Sequence, residues 1–190
     1  MSIFINLAIV SGFALNGLLQ LGLGIKMVPA KMKFSSLNFW LPPLAMLITA
    51  PLSWVIRRYI FSFLGFGFME VFLLFPISAL ISLGIGNLLA HDEKGPSTKG
   101  LSAYDGLVFA VSFITIRWAL RFSEALVIAL SFSLSYVLVS ILVTEIHKRS
   151  VYESVPSFLQ GRPLVLISMA LLSLVFAFIS VALLSAAGHP

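Results

Sequence analysis

Six apolar runs, separated by short polar segments, make up most of the chain. Most of them are long enough to cross about 30 Å of hydrocarbon as helices that rise 1.5 Å per residue. The pattern therefore predicts an all-α integral membrane protein with six transmembrane helices. In chain order the runs cover residues 3–25, 37–56, 68–90, 106–120, 125–146 and 164–187.

Two of these runs do not fit a plain spanning helix. In the fourth run only ten residues separate Gly106 from Arg117, which is too few to cross a bilayer. The first run contains Asn16 and Gly17 and then further glycines, which weaken a helix and allow close backbone approach. We therefore predict that the first and fourth helices are interrupted.

A hydrophilic linker divides the chain into two halves of three helices each. The segment 91–100 reads HDEKGPSTKG, a composition that is typical of a loop. After three helices the second half enters the membrane from the opposite side, so a repeat would have inverted topology. We expect one membrane domain over residues 1–190, with inverted halves at about 1–95 and 101–190 and the linker at 91–105.

The interrupted first and fourth helices then occupy equivalent places in the two halves. Broken helices that meet near the middle of the bilayer are the best sequence-level indication of a functional site in a membrane protein. Packing is an equally good explanation, because small residues are common where transmembrane helices touch. The sequence leaves both explanations open.

The distribution of basic residues predicts the orientation of the chain. With Arg117 assigned to the short fourth connection, the first, third and fifth connections hold eight Lys and Arg, and the second and fourth hold four. Cytoplasmic loops are enriched in these residues, so the odd connections are expected in the cytoplasm. The expected location is the inner (cytoplasmic) membrane, with several passes and both termini on the outer side.

Composition agrees with lipid as the main solvent. The chain is 59% hydrophobic and 10% charged, whereas about 25% of the residues of an average soluble domain are charged. A net charge of +5 could indicate nucleic acid, but the basic residues sit singly or in pairs between apolar runs. No nucleic-acid partner is expected.

Cysteine is absent from the sequence. This excludes disulfides, thiolate nucleophiles and cysteine-ligated zinc or iron-sulfur sites on this chain. The three histidines show no paired spacing for a metal. The sequence therefore predicts no metal site and no catalytic residue, and a membrane enzyme has no support.

Four charged residues are candidates for an ion path or for charge within the membrane. Arg117, Arg121 and Glu124 are four and three positions apart, so they could share one helical face. Deep in the membrane, Arg117 would place a fixed positive charge at a functional site, whereas at the interface it would reach water. Glu70 could bind a cation or relay a proton, or it could be an interfacial acid at a helix N-terminus.

Amide side chains within the apolar runs are candidates for contacts between helices. An interhelical hydrogen bond in a membrane contributes about 0.6 kcal/mol on average. None of these side chains forms a catalytic signature. The residues are Asn6, Asn16, Gln20 and Asn87.

A series of short motifs follows the fifth apolar run. Ile146-His-Lys-Arg149 is followed by Val155-Pro-Ser-Phe-Leu-Gln-Gly161 and then by Leu166-Ile167 and Leu171-Leu-Ser-Leu-Val-Phe176. Over residues 146–178 this series resembles, without gaps, the A subunit of the Rnf ion-translocating oxidoreductase and the E subunit of the sodium-pumping NADH:quinone reductase. Upstream, Phe113-Ile-Thr-Ile-Arg-Trp118 is similar to the Leu-Ile-Thr-Thr-Asn-Cys of that family.

The resemblance implies six helices in two inverted halves and a place in a multisubunit complex. In that family an A-type subunit pairs with a related membrane subunit, and each supplies two cysteines, from its broken first and fourth helices, to one 2Fe-2S cluster. The implied partners are a homologous E/D-type membrane subunit, other Rnf/Nqr-like subunits and the lipid bilayer.

This sequence departs from the family at the cluster ligands. The second family cysteine aligns with Trp118. The first aligns with Gly24 if the family's Leu-Gly-Leu is matched to residues 21–23, or with Met27 if its asparagine is matched to Asn16. None of these residues can replace a thiolate on iron. We therefore expect a divergent, cysteine-free member that binds no cofactor through its own side chains.

Two functions stay open at this point. The first is a scaffold or ion-path subunit of an Rnf/Nqr-like ion-translocating electron transport complex. The second is a stand-alone small membrane transporter or channel that has kept the fold and lost the redox role. Co-purification with Rnf-like subunits would favour the first, and isolation would favour the second.

Overall fold

The described part of the chain is helical, with no strand in it. A computed structural model describes residues 2–16, 19, 37–61, 70–89, 106–150 and 162–186. The six helices are α1 (Ser2–Ile9, extended by the π-helical turn Val10–Ala14), α2 (Leu37–Ile56, extended by the π-helical turn Arg57–Phe61), α3 (Glu70–Leu89), α4 (Gly106–Trp118), α5 (Phe122–Ser150) and α6 (Arg162–Ala186).

The predicted all-α class and the six helices are confirmed. The α-helical part of α2 has the predicted bounds, whereas α5 continues past the predicted end at residue 146 to Ser150. This last turn is polar: Glu145 lies 3.6 Å from Lys148 and 3.9 Å from Arg149. Ion pairs three or four residues apart on a solvated helix stabilise it by a few tenths of a kcal/mol each.

The first helix ends much earlier than the apolar run that contains it. Its helical turns stop at Ala14, and Asn16 is not helical, which agrees with the predicted interruption at Asn16. The helix in the fourth run is also short and ends at Trp118. Positions 20–36 lie outside the described residues.

Among the described residues, three helices are long and apolar enough to cross a membrane, which indicates a membrane protein. They are Phe39–Phe61, Phe122–Ile146 and Leu166–Ala186, and 61%, 44% and 17% of the best window of each is buried. The third is therefore the most peripheral. Its outer face presents Leu174 and Phe178, which are 70% and 76% exposed, and lipid can cover such a face.

The two central helices, α2 and α5, lie antiparallel against each other. The hydroxyl of Ser133 donates to the carbonyl of Pro43 near the start of α2 (3.2 Å), while the ring of Trp54 near its end lies 5.9 Å from that of Phe122. Small buried residues allow the close approach of helices. They are Ala45 and Ala50 of α2 and Ala125 and Ala129 of α5.

The remaining helices pack in two groups that mix the halves of the sequence. Helices α3 and α4 contact each other and α2, whereas α1 and α6 contact each other and α5. Each helix of the first half can be paired with the helix three places later in the chain: α1 with α4, α2 with α5 and α3 with α6. When the two members of every pair are exchanged, the same helix–helix contacts result. The additional contact between α4 and α5 is the exception.

Candidate functional site

The end of α1 is held by polar groups of α5. The backbone N–H of Leu15 donates to the carbonyl of Val10 (2.8 Å), which closes the π-helical turn. Beyond it, the amide of Asn16 donates to the hydroxyl of Ser135 (2.6 Å), and that hydroxyl donates to the carbonyl of Gly12. Asn16 is 2% exposed and Ser135 is 8% exposed, so this cluster is buried.

These contacts satisfy backbone groups that the end of a helix leaves unpaired. The last carbonyls of a helix have no partner within it, and an unpaired buried carbonyl is costly away from water. Ser135 supplies a donor for one of them, and Asn16 accepts a hydrogen bond from the N–H of Leu19 (3.3 Å). Ser135 lies near the middle of the candidate span Phe122–Ile146. The end of α1 therefore lies beside the middle of the apolar part of α5.

The end of α4 is closed by α2 in a similar way. The indole N–H of Trp54 donates to the carbonyl of Ala119 (2.9 Å), and the guanidinium of Arg57 donates to the carbonyl of Ile116 (2.6 Å). A cation at the C-terminus of a helix is also stabilised by the helix dipole. Each short helix therefore ends against a side chain from the central helix of the other half.

Glu124 has a local structural role at the start of α5. Its carboxylate accepts hydrogen bonds from the N–H groups of Leu120 (2.8 Å) and Arg121 (3.3 Å). An acid in the third position of a helix that binds the preceding N–H forms half of a capping box. This arrangement allows the chain to turn from α4 into α5 within three residues.

The expectation that Arg117, Arg121 and Glu124 share one helical face is wrong. Arg117 lies in the last turn of α4 and Glu124 in the first turn of α5, because the helix breaks between Trp118 and Phe122. Arg117 and Arg121 are both exposed on the surface of the chain, and Glu124 is half-buried.

The remaining predicted positions fall in different places. Trp118 is 42% exposed at the end of α4. Glu70 is the first residue of α3, and its side chain lies outside the part that the structure describes. Gly24 and Met27 also lie outside the described residues.

The predicted contacts between amide side chains and other helices are partly confirmed. Asn16 reaches α5, as described above, whereas the side chains of Gln20 and Asn87 lie outside the described residues. Within the described part of the chain, four buried side-chain oxygens have no hydrogen-bond partner. They are Oδ1 of Asn6, Oγ1 of Thr49 and the hydroxyl oxygens of Ser53 and Ser140.

Three residues of the two helix ends were not anticipated from the sequence. Ser135, Trp54 and Arg57 stand in or next to apolar runs with nothing local to mark them, and their partners lie far away along the chain. Within the described ranges, no group of three or more His, Asp or Glu side chains could hold a metal ion.

Neither a known protein family nor a curated protein matches this sequence.

Proposed function

We propose that this chain is a membrane subunit of an Rnf/Nqr-like ion-translocating electron transport complex, in which it acts as scaffold or ion path. The observation that carries the proposal is the pair of short helices, α1 and α4, each closed by the central helix of the other half. Transporters with inverted repeats commonly build their sites from broken helices of this kind. The resemblance over residues 146–178 is the reason for proposing an Rnf/Nqr-like complex in particular.

The contact pattern supports two inverted three-helix repeats as the architecture. The antiparallel arrangement of α2 and α5 is what an inverted repeat requires of its second and fifth helices. Exchanging the two members of all three helix pairs (α1 with α4, α2 with α5, α3 with α6) also preserves the pattern of contacts, apart from the contact between α4 and α5. The repeats would then be intertwined, which explains why each half closes a helix of the other.

Residue types support the same pairing of α2 with α5. The segment ITAPLSWVI of α2 (residues 48–56) matches LSFSLSYVL of α5 (residues 130–138) in apolar, hydroxyl and aromatic positions, except that Pro51 stands opposite Ser133. The matched pairs also share their environment. Ser53 and Ser135 are both buried, Trp54 and Tyr136 are both buried, and the leucines just before the two serines are both exposed.

The short helices α1 and α4 can be aligned in the same way. Ser11 and Ser112 each follow a valine and are buried, and each hydroxyl donates to the carbonyl four residues earlier, at 2.6 and 2.9 Å. In α3 and α6, Ser78 and Ser168 each follow an isoleucine and are buried. All three helix pairs therefore favour a duplicated unit.

One contact differs between the proposed repeats. Ser135 is bound to the end of α1, whereas the hydroxyl of its counterpart Ser53 has no partner among the described residues. In inverted-repeat transporters, access alternates between the two sides as one repeat moves against the other around a fixed site. We propose that Ser53 takes the role of Ser135 in the alternate state, with the Phe113 carbonyl in the place of the Gly12 carbonyl.

The position of Trp118 supports the subunit assignment. In the resembled family this position supplies a cluster ligand that must meet a second subunit, and here the side chain is 42% exposed. Leu120 and Phe122, which follow it, are 83% and 46% exposed. In the proposed complex a homologous E/D-type subunit faces this end of α4, next to any lipid bound there.

The residues present do not fit a 2Fe-2S cluster. The cluster needs thiolates or, in one variant, imidazoles, and Trp118 offers an indole that donates a hydrogen bond but does not coordinate iron. The chain has no cysteine to replace it. We therefore derive no electron-transfer step through this subunit.

Restored cysteines test the assignment to the Rnf/Nqr-like complex. The chain carrying Trp118→Cys together with Gly24→Cys or Met27→Cys is co-expressed with the homologous partner, and the purified complex is examined by electron paramagnetic resonance. A 2Fe-2S signal that needs both new cysteines is expected. The control carries cysteines at Gly84 and Leu120 and should give no signal.

The absence of a signal in every restored variant, although the complex is assembled, would contradict the assignment. A cluster in the unaltered protein that disappears when Trp118 is replaced would instead contradict the ligand argument, and the electron-transfer role of this subunit would return.

A stand-alone transporter or channel is the second candidate. The buried cluster of Asn16 and Ser135 favours it, because this polar site is complete within one chain. Reconstitution of the purified chain alone into vesicles separates the two. Ion flux without a partner would favour the transporter.

A further inference from the structure

The basic residues at one end of the bundle differ in type from those elsewhere. All four basic residues in the second and fourth connections are arginine, whereas six of the other eight are lysine. Arginine presents a planar fork of donors that matches phosphate oxygens in pairs, whereas lysine acts as a point charge. Because this end has the smaller share of basic residues, the positive-inside bias does not explain them.

The fold brings these four arginines to the same end of the molecule. The guanidinium of Arg57 reaches the carbonyl of Ile116, which is the neighbour of Arg117 in α4. The ring of Trp54 lies 5.9 Å from that of Phe122, which is the neighbour of Arg121. The ends of α2 and α4 and the start of α5 therefore meet here. We call Arg57, Arg58, Arg117 and Arg121 the arginine cluster.

The arginine cluster keeps an excess of positive charge. Glu124 is the nearest acid along the chain, and its carboxylate already binds two backbone N–H groups. Glu70 begins the helix that follows the second connection and is the other acid on this side. Arg58, Arg117 and Arg121 are exposed, while Arg57 is held against α4. Three guanidinium groups are thus accessible to a ligand.

Exposed aromatic and aliphatic side chains surround the cluster. Tyr59 is 72% exposed, and Trp118, Leu120 and Phe122 next to the arginines are exposed as well. Tyrosine and tryptophan are enriched at the level of lipid headgroups, where the ring contacts apolar chains and the polar edge contacts water. An acidic protein surface would pair with the arginines but leave these apolar side chains uncovered. A phospholipid covers the arginines with its phosphate and the apolar side chains with its acyl chains.

We propose that the arginine cluster binds the phosphate of an anionic phospholipid headgroup, with the acyl chains of that lipid against the neighbouring apolar side chains. Arg117 and Arg121 carry the binding, and Arg57 positions the end of α4 on which Arg117 stands. The inference needs the chain to lie in a bilayer. It does not depend on the Rnf/Nqr-like complex, so either proposal can fail alone.

The test measures lipid retention by the full chain. Native mass spectrometry of the protein in detergent counts bound phosphatidylglycerol and phosphatidylcholine during a titration with each lipid. Preferential binding of phosphatidylglycerol is expected. The variant R117Q/R121Q should bind it about 25-fold more weakly, since each arginine near a charged lipid surface contributes about a fivefold change.

The matched control is K148Q/R149Q, which removes two exposed basic residues at the other end of α5. It should bind phosphatidylglycerol as the unaltered chain does, and inorganic phosphate at millimolar concentration should not compete. R117K/R121K keeps the charge and should lose only part of the affinity. Because R117K/R121K keeps the charge, its remaining affinity keeps the test decisive if R117Q/R121Q misfolds.

The proposal is overturned by any of three results. The first is equal binding of the two lipids, and the second is an equal loss of binding in K148Q/R149Q. The third is displacement of the lipid by inorganic phosphate, which would assign the cluster to a free anion.

Discussion

The amide of Asn16 donates a 2.6 Å hydrogen bond to the hydroxyl of Ser135, which in turn donates to the carbonyl of Gly12. This contact links the first non-helical turn after α1 to the middle of α5. In an apolar environment these groups have few alternative partners, because no water competes for them. The contact therefore stabilises the end of α1 at this position.

The first prediction concerns this contact. Ser135→Ala removes the acceptor of Asn16 and the donor to Gly12, so the free energy of unfolding should fall by about 1 to 2 kcal/mol. Ser53→Ala is the matched control, since the hydroxyl of Ser53 has no partner among the described residues. Thermal unfolding in detergent measures both variants. An equal loss of stability in the two variants would contradict the proposed difference between the two repeats.

The second prediction concerns the end of α4. Trp54→Phe removes the hydrogen bond from the indole to the carbonyl of Ala119 and keeps a ring to contact Phe122. The cost should be about 1 kcal/mol, because the buried carbonyl loses a donor. Trp118→Phe, at an exposed site, should leave stability unchanged. Equal melting temperatures of Trp54→Phe and the unaltered chain would show that the indole of Trp54 does not stabilise the end of α4.

The third prediction separates a capping role of Glu124 from a role in an ion path. Glu124→Ala should lower stability by about 1 kcal/mol through loss of the cap, while Glu124→Gln keeps an oxygen acceptor and should be close to neutral. Glu145→Ala is the control, because the ion pairs of Glu145 are exposed. If Glu124→Gln abolishes ion flux at unchanged stability, Glu124 belongs to an ion path.

The fourth prediction concerns orientation. The chain has no cysteine, so single cysteines report on their own position. Ser123→Cys, at the start of α5, should react with an impermeant thiol reagent added to intact cells, whereas Ser157→Cys should react only after the membrane is opened. The reverse pattern would place both termini in the cytoplasm.

The sequence anticipated the helices better than the contacts between them. The six apolar runs gave the helix count, and Asn16 marked the interruption of α1, because apolar length and helix-breaking residues are local signals. The roles of Trp54, Arg57 and Ser135 could not be predicted, since each depends on which helix end lies opposite. Glu124 illustrates the same limit: its spacing from Arg117 suggested a common face, but the turn at Ala119 separates them.

The composition of the native assembly tests the proposed function most directly. The tagged chain is purified from its own membranes in mild detergent, and the intact particle is analysed by native mass spectrometry. We expect a stable particle that contains a homologous six-helix subunit with two cysteines of its own, together with further Rnf/Nqr-like subunits. A monodisperse, thermally stable monomer without any such partner would contradict the proposed function.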